Sequence, residues 1–321
     1  MRQYIIRRTA FGALSAVLVS LLIFALLRIA PGDVAMMIAV ERSGGEGAML
    51  TIEQIDQIRE QLGLKAPLYI QYGRWIGGFL SGDWGRSLWN KLSVFDEFKR
   101  KFAVTLELVT LAQVLAIALG IFSGVIMALR RDTWVDYVVR VGSLAGLSVP
   151  SFWSATLFLV GAAYFFHWNP RIDYVPFLKD PVANLKQFIW PAIMLGYISA
   201  ATQARMMRST MLEVLRQDYI RTAHAKGLAA SVVTVRHALK NALIPVITLI
   251  GLQISVALGG SVVIERIFGL PGMGSFLIDG MLQRDYPVVQ SVVTFFSGAI
   301  VLINLLVDLS YGWLDPRIRY Q

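Results

Sequence analysis

Six runs of this chain are apolar over lengths that only a bilayer readily accommodates: residues 9–27, 102–129, 137–166, 188–203, 242–264 and 288–311. About 20 apolar residues cross the hydrocarbon layer as a helix. Lipid offers no partner for an unpaired backbone N–H or C=O, so each run must close its own hydrogen bonds. The expected fold class is therefore an all-α polytopic membrane protein with six transmembrane helices. Composition agrees, since 56% of residues are hydrophobic and only 16% charged, against about 25% charged in soluble domains.

The intervals between the runs set the orientation. Arg2, Arg7 and Arg8 precede the first run, Arg130 and Arg131 close the second, and Arg317 and Arg319 follow the last. Residues 205–245 hold Arg205, Arg208, Arg216, Arg221, Lys226, Arg236 and Lys240 against only Glu213 and Asp218. The short segments on the opposite side carry few basic residues. Cytoplasmic loops collect Lys and Arg, so both termini are expected in the cytoplasm. The first run is longer than the apolar part of a signal peptide, and no small-x-small site follows it closely, so it reads as an uncleaved first helix. The net charge of +9 is accounted for in the same way. The basic residues alternate with spans rather than forming one face, which argues against nucleic acid as a partner. With no cysteine in the chain, disulfides and thiolate metal sites are excluded.

Residues 33–101 form the longest polar segment, and the division expected from sequence is 1–101, a first helix plus an extracytoplasmic loop, and 102–321, a five-helix core. Thr51 and Gln54 sit at capping-box spacing ahead of Ile55, Ile58, Leu62 and Leu64, with Gly63 near the end. A second amphipathic stretch, 69–80, places Tyr72, Trp75, Ile76 and Phe79 on one side. Trp75, Phe79, Trp84 and Trp89 fit either a headgroup boundary or a small folded loop. Ala116, Gly120, Gly124 and Ala128 recur every four residues, a stripe that lets a second helix approach closely. Gly251, Ser255 and Gly259 repeat the device beside the polar Gln253, and part of a translocation path is expected near Gln253, Ser255 and Gly259. Pro150 marks a bend in the third run. The outer loop after it holds His167, Trp168, Pro170 and Pro176, and the cluster Gly44, Gly45 and Gly47 reads as a loop.

The chemistry-bearing residues exclude more than they suggest. The histidines His167, His224 and His237 are scattered, and neither a His-Glu-x-x-His helix nor a Gly-x-x-x-x-Gly-Lys phosphate loop occurs. Ser148 and Ser151 have no partnered base in the sequence and read as packing residues. No catalytic residue, metal site or cofactor is expected on this chain. Asp308, with Asn304 one turn earlier, and Glu107 lie near span ends, where an acid reaches water or a neighbour. No charged side chain lines the middle of a span, as a proton- or sodium-coupled carrier usually needs, so energy should come from elsewhere. The basic interval is itself patterned. Met206, Met211, Leu212, Leu215 and Ile220 recur at roughly helical spacing, and Gly227 stands where a helix C-cap would. A folded, basic knuckle held out from the membrane suits pressing on a partner.

The knuckle also carries a likeness. The chain resembles inner-membrane permeases of ABC importers of the dipeptide/oligopeptide/nickel type, most closely the first of the two permeases in such systems. That family's cytoplasmic pattern is Glu-Ala-Ala, a Gly four positions after the second Ala, then Ile-x-Leu-Pro. Here Arg221-Thr222-Ala223 holds the first position, Gly227 the glycine, and His237-Ala238-Leu239-Lys240 the last, so the Glu, Ile and Pro are replaced. Pro31-Gly32-Asp33, Gly82-Asp83-Trp84-Gly85-Arg86-Ser87, Thr105-Leu106-Glu107-Leu108, Asp218 to Ala223, Phe268 to Gly274, Asp285 to Gln290 and Asn304 to Asp308 extend the likeness over nearly the whole chain.

The resemblance implies a complex in a bacterial cytoplasmic membrane. Its parts would be this chain, a second permease, two cytoplasmic ATPase subunits that bind ATP and Mg, and an extracytoplasmic solute-binding protein. It implies a coupling helix at about 218–227, with Asp218, Tyr219, Arg221, Thr222, Ala223, Lys226 and Gly227 meeting an ATPase. The function so implied is alternating-access import of a peptide-like solute. Dipeptide, longer peptide, nickel chelate and glutathione-like solutes all remain open. The competing readings are a self-contained carrier or channel, which sparse intramembrane charge disfavours, and an intramembrane enzyme, for which no partnered nucleophile is present.

Overall fold

A computed structural model describes residues 2–29, 32–42, 51–171 and 173–314. Pro31, the Gly44–Gly45–Gly47 cluster and the tail residues Arg317 and Arg319 lie outside them. Among the described residues the regular structure is helical, with one isolated antiparallel bridge between Arg86 and Ser93. The helices are α1 Arg2–Ile29, α2 Val34–Arg42, α3 Ile52–Gln61, α4 Leu68–Ser81, α5 Val94–Leu129, α6 Trp134–Ser148, α7 Ser151–Phe166, α8 Pro181–Val214, α9 Asp218–Ala225, α10 Ala230–Val232, α11 Lys240–Phe268, α12 Met273–Leu282 and α13 Tyr286–Leu314. Residues Val233–Leu239, between α10 and α11, form a π-helical stretch.

Among the described residues, four helical segments are long and apolar enough to span: Ile6–Ile29, Val94–Leu129, Ala230–Phe268 and Tyr286–Asp308. The run expected as the third span is divided between α6 and α7, which meet at a bend of 101°. Pro150 has no N–H to donate and keeps the residue before it out of helical backbone, and Val149 is accordingly extended, with φ −107° and ψ 124°. The carbonyl freed at the break finds a donor, because the Tyr197 hydroxyl reaches Val149 O at 2.7 Å. The fourth expected span lies within α8, whose 34 residues reach about 51 Å at 1.5 Å per residue. That helix is not among the four long apolar segments. Its Asn184, Gln187, Ser199, Gln203 and Thr210 are buried in protein, where polar groups find partners that lipid lacks.

The chain forms two compact units. One comprises Met1–Thr9, Ala103–Ser275 and Leu302–Gln321, the other Ala10–Phe102 and Phe276–Val301. The first is organised on the seam of α5, α8 and α11. The expected small-residue stripe is the contact: a Cβ on Gly120 would sit 2.9 Å from Ala200 O, and one on Gly124 2.7 Å from Ala204 O. Gly196 returns the favour from α8, its Cβ position falling 2.5 Å from Ala112 O. These approaches bring backbone against backbone, as close helix packing in a membrane requires. Arg8 pairs with Asp308 at 3.1 Å in the same unit, so the acid late in the last span is answered by a neighbour. Glu107 likewise accepts from the Tyr174 hydroxyl at 2.8 Å.

The second unit folds the long polar segment. The Thr51–Gln54 capping box forms as its spacing predicts, and Ile58 of α3 joins Val34, Ala35, Ile38 and Ala39 of α2 in a small core. Trp84 is buried among Phe79, Phe95, Phe98 and Phe295, so for this tryptophan the folded-loop reading holds. Ser87 donates to the Asp285 carboxylate, which also accepts from Leu88 N at 3.2 Å. Burial pushes the Asp285 carboxyl upward, against the pull of these donors.

Candidate functional site

The knuckle is a rigid extension of three helices rather than a loop. Residues 205–214, read from sequence as part of the polar interval, are the last turns of α8, and residues 230–239 lead without a break into α11. Between them stands α9, eight residues long, well under the roughly 12–15 at which an isolated helix holds in water. Its stability comes from its ends and its buried face. Ile220 and Ala223, one turn apart, are buried. They pack with Ala128 from the end of α5, Met207 and Met211 of α8, and Val233, Ala238, Ala242 and Val246 of the α11 limb. Asn241 Nδ2 donates to the Tyr219 hydroxyl at 2.9 Å, a second tie to α11.

The C-terminus of α9 closes as a Schellman motif. Gly227 N donates to His224 O at 2.9 Å and Leu228 N to Ala223 O at 3.4 Å. That geometry needs a left-handed residue after the cap, and Gly227 supplies φ +75°. What remains faces outward: Asp218, Tyr219, Arg221, Thr222, Lys226 and Gly227 are exposed. The Asp218–Arg221 pair, 3.3 Å apart and open to solvent, adds little to stability. The π-helical stretch at the root of α11 admits an extra residue per turn, a feature frequent at functional sites. Of the seven residues expected to meet an ATPase, six are thus displayed and Ala223 is buried as an anchor.

A charged joint that sequence reasoning missed lies beside the knuckle. Asp136 of α6 is fully buried and accepts from Arg208 Nε at 2.9 Å and Nη2 at 2.8 Å, from Arg140 Nη2 at 2.6 Å and from Asp132 N at 3.1 Å. Bidentate pairing of this kind fixes direction as well as distance. The i, i+4 spacing of Asp136 and Arg140 was visible in sequence. Arg208 lies far off in the chain, and nothing local points to it.

Glu265 makes a second buried polar centre, toward the other end of α11. It accepts from the Thr105 hydroxyl at 2.6 Å, from Gly274 N at 2.7 Å and from Ser275 N at 3.2 Å, while Met273 N donates to Thr105 Oγ1 at 2.8 Å. The carboxylate so caps the start of α12, where free N–H groups and the helix dipole favour negative charge. A side chain on Gly272 would collide with that carboxylate, and one on Gly274 with Val262. The stretches 105–108 and 268–274, separate in sequence, are therefore one structural device. So are 82–87 and 285–290, through Ser87 and Asp285.

The residues expected along a path are spread over different surroundings. Gln253 is buried in the α8–α11 seam, accepting from Gln203 Nε2 at 2.6 Å and donating to Ser199 O at 3.4 Å. Gln113 of α5 donates to the Gln253 carbonyl at 3.3 Å. Ser255 faces α13, its hydroxyl 3.3 Å from Asn304 Oδ1, and Gly251 abuts Val307 there. Gly259 has open space beside it. Among the described residues no group of His, Cys, Asp or Glu is arranged to hold a metal.

Long apolar helices, one pair of them sharply bent, and a basic helical module packed against α5, α8 and α11 define a multi-pass membrane protein. Residues 120–320 match the family described as binding-protein-dependent transport system inner membrane component, and residues 1–109 match the N-terminal region of the same transport-system membrane components. The chain is 42% identical over 321 residues to a putative peptide transport system permease protein of Brucella abortus (strain 2308), with all of both chains covered. It is 39% identical over 346 aligned residues to the dipeptide transport system permease protein DppB of Escherichia coli (strain K12), again over the whole of both. Against the di/tripeptide transport system permease protein DppB of Pseudomonas aeruginosa (strain UCBPP-PA14) it is 39% identical over 341 residues, also with full coverage. The chain belongs to the family of binding-protein-dependent transport system inner membrane components, the permeases of ABC importers. It is a multi-pass protein of the bacterial cytoplasmic membrane.

Proposed function

We propose that this chain is one of two permeases that together carry a di- or oligopeptide across the cytoplasmic membrane by alternating access. A solute-binding protein delivers the peptide outside, and two ATPase subunits supply the energy inside. The relatives named for peptide, dipeptide and di/tripeptide transport support the solute class. The chain itself is non-catalytic in this reading, with ATP and Mg held by the ATPase chains. The observation that carries the proposal is the construction of α9: Ile220 and Ala223 sink into a core built from α5, α8 and α11, while Asp218, Tyr219, Arg221, Thr222 and Lys226 stand clear. A partner that grips the exposed side moves three helices at once, whereas a flexible linker would absorb the push. The cytoplasmic placement of α9 and of both termini follows from the basic segments. In this reading the path runs near Gly259, and Gln253 and Ser255 hold the helices that flank it.

The test is a single cysteine at Thr222 (Thr222→Cys) in the reconstituted transporter, cross-linked to the ATPase chain with a short bifunctional reagent. A permease–ATPase product whose yield changes with bound nucleotide is the expected result. No product from Thr222→Cys, alongside intact complex, would overturn the coupling role. Peptide transport by the purified chain alone would overturn the ATP-driven reading in favour of a self-contained carrier.

A further inference from the structure

The second compact unit holds a cavity of about 820 Å³ that the transport reading does not use. Leu21, Phe24 and Ala25 of α1 and Leu68 and Tyr69 of α4 line it, together with the polar Arg28, Asp33, Arg59 and Gln71. Arg28 lies in the last turn of α1, one residue before the end of the apolar segment Ile6–Ile29. In a membrane that is headgroup depth, where a long cationic side chain reaches its tip toward water.

The charge at this end is uneven. Arg59 is answered by Asp33 and by Asp56 at 2.8 Å. Arg28 has no carboxylate within ion-pair distance among the described residues. Its guanidinium donates to Gln71 Oε1 at 3.2 and 3.3 Å and lies over the Phe24 ring at 3.6 Å. It is half-buried, and its partners among the described residues are neutral. The apolar surface of α1 continues outside the cavity, where Leu14 and Leu18 are exposed. The ten helical steps from Leu18 to Arg28 rise about 15 Å, half of the roughly 30 Å hydrocarbon layer.

We propose that this cavity binds an anionic phospholipid, its phosphate on the Arg28 guanidinium and an acyl chain along the Leu18–Ile29 stretch of α1. A free peptide fits the same space less well. Its ammonium would need an acid, and the carboxylate of Asp33 is already committed to Arg59 and to Ala35 N at 2.9 Å. The proposal rests on membrane placement alone and stands apart from the coupling role of α9.

Native mass spectrometry of the purified, delipidated full chain provides the test, with titration by phosphatidylglycerol, phosphatidylcholine, glycerol 3-phosphate and a dipeptide. The expected result is a saturable phosphatidylglycerol adduct that weakens about tenfold in Arg28→Gln, as loss of a charge-assisted contact implies. It should persist in Arg100→Gln, whose side chain is 70% exposed elsewhere on the unit. Ala25→Trp, which fills the groove and leaves the guanidinium in place, should abolish it, and this variant decides the matter if Arg28→Gln does not fold. Equal binding of phosphatidylcholine, equal binding of glycerol 3-phosphate, displacement by the dipeptide, or an adduct unaffected by Ala25→Trp would each overturn the proposal.

Discussion

Replacing Gly227 with alanine isolates what the cap of α9 does. An added Cβ meets nothing within 4 Å, so no clash results. The whole effect comes from φ +75°, where a residue with a side chain is disfavoured by about 1–2 kcal/mol. Two hydrogen bonds depend on that conformation, Gly227 N to His224 O and Leu228 N to Ala223 O. A cap shifted by 1–2 kcal/mol changes its formed-to-frayed ratio by about 5–30-fold. The helix below it has only Ile220 and Ala223 buried, so it holds little in reserve. Uptake by Gly227→Ala in the assembled transporter should fall several-fold, while co-purification of the partner subunits stays unchanged. Gly227→Asn, which tolerates left-handed backbone far better, should recover most of the loss. Wild-type uptake in Gly227→Ala, or an equal fall in Gly227→Asn, would show that backbone geometry at this cap is not what the transporter needs.

Glu265→Leu should lower stability by about 3 kcal/mol, since it strands the Thr105 hydroxyl and two N–H groups of α12; Glu265→Gln should cost less, and thermal unfolding of the purified chain reads both. Arg208→Met leaves Asp136 buried with Arg140 as its one remaining cation and should cost about 2 kcal/mol, with most recovered in Asp136→Leu/Arg208→Met because an apolar pair needs no counter-charge. Gly196→Ala should destabilise by about 1–3 kcal/mol through its collision with the α5 backbone, whereas Gly259→Ala, with open space, should stay within about 0.5 kcal/mol. At Asp33 burial raises the carboxyl, but the Arg59 contact and the Ala35 N–H together outweigh it and hold the pKa below the ordinary value. Its contribution is thus present above the unfolded carboxylate range and lost as pH falls through the lower, folded value. Hydrogen exchange in α2 should accordingly rise only in acid, below about pH 4, and Arg59→Gln should remove that dependence.

What the sequence determined by itself was whatever depends on local order. Apolar runs dictate helices because lipid leaves no alternative, Pro150 dictates a break, and Thr51 with Gln54 dictates a cap. Gly227 announces the end of a short helix, and the four-residue stripe from Ala116 to Ala128 announces a close neighbour without saying which. Residues 188–203 read as an apolar run, but nothing local shows that Asn184, Gln187 and Gln203 are buried within the protein. Only the tertiary structure decided which distant groups meet. It joined Arg208 to Asp136, Glu265 to Thr105 and the start of α12, and Ser87 to Asp285. It also turned Gln253 into the α8–α11 seam and left Arg28 with no ion-paired acid among the described residues. Propensity and periodicity act over a few residues, whereas a buried charge is matched by whatever the folded chain brings within about 3 Å.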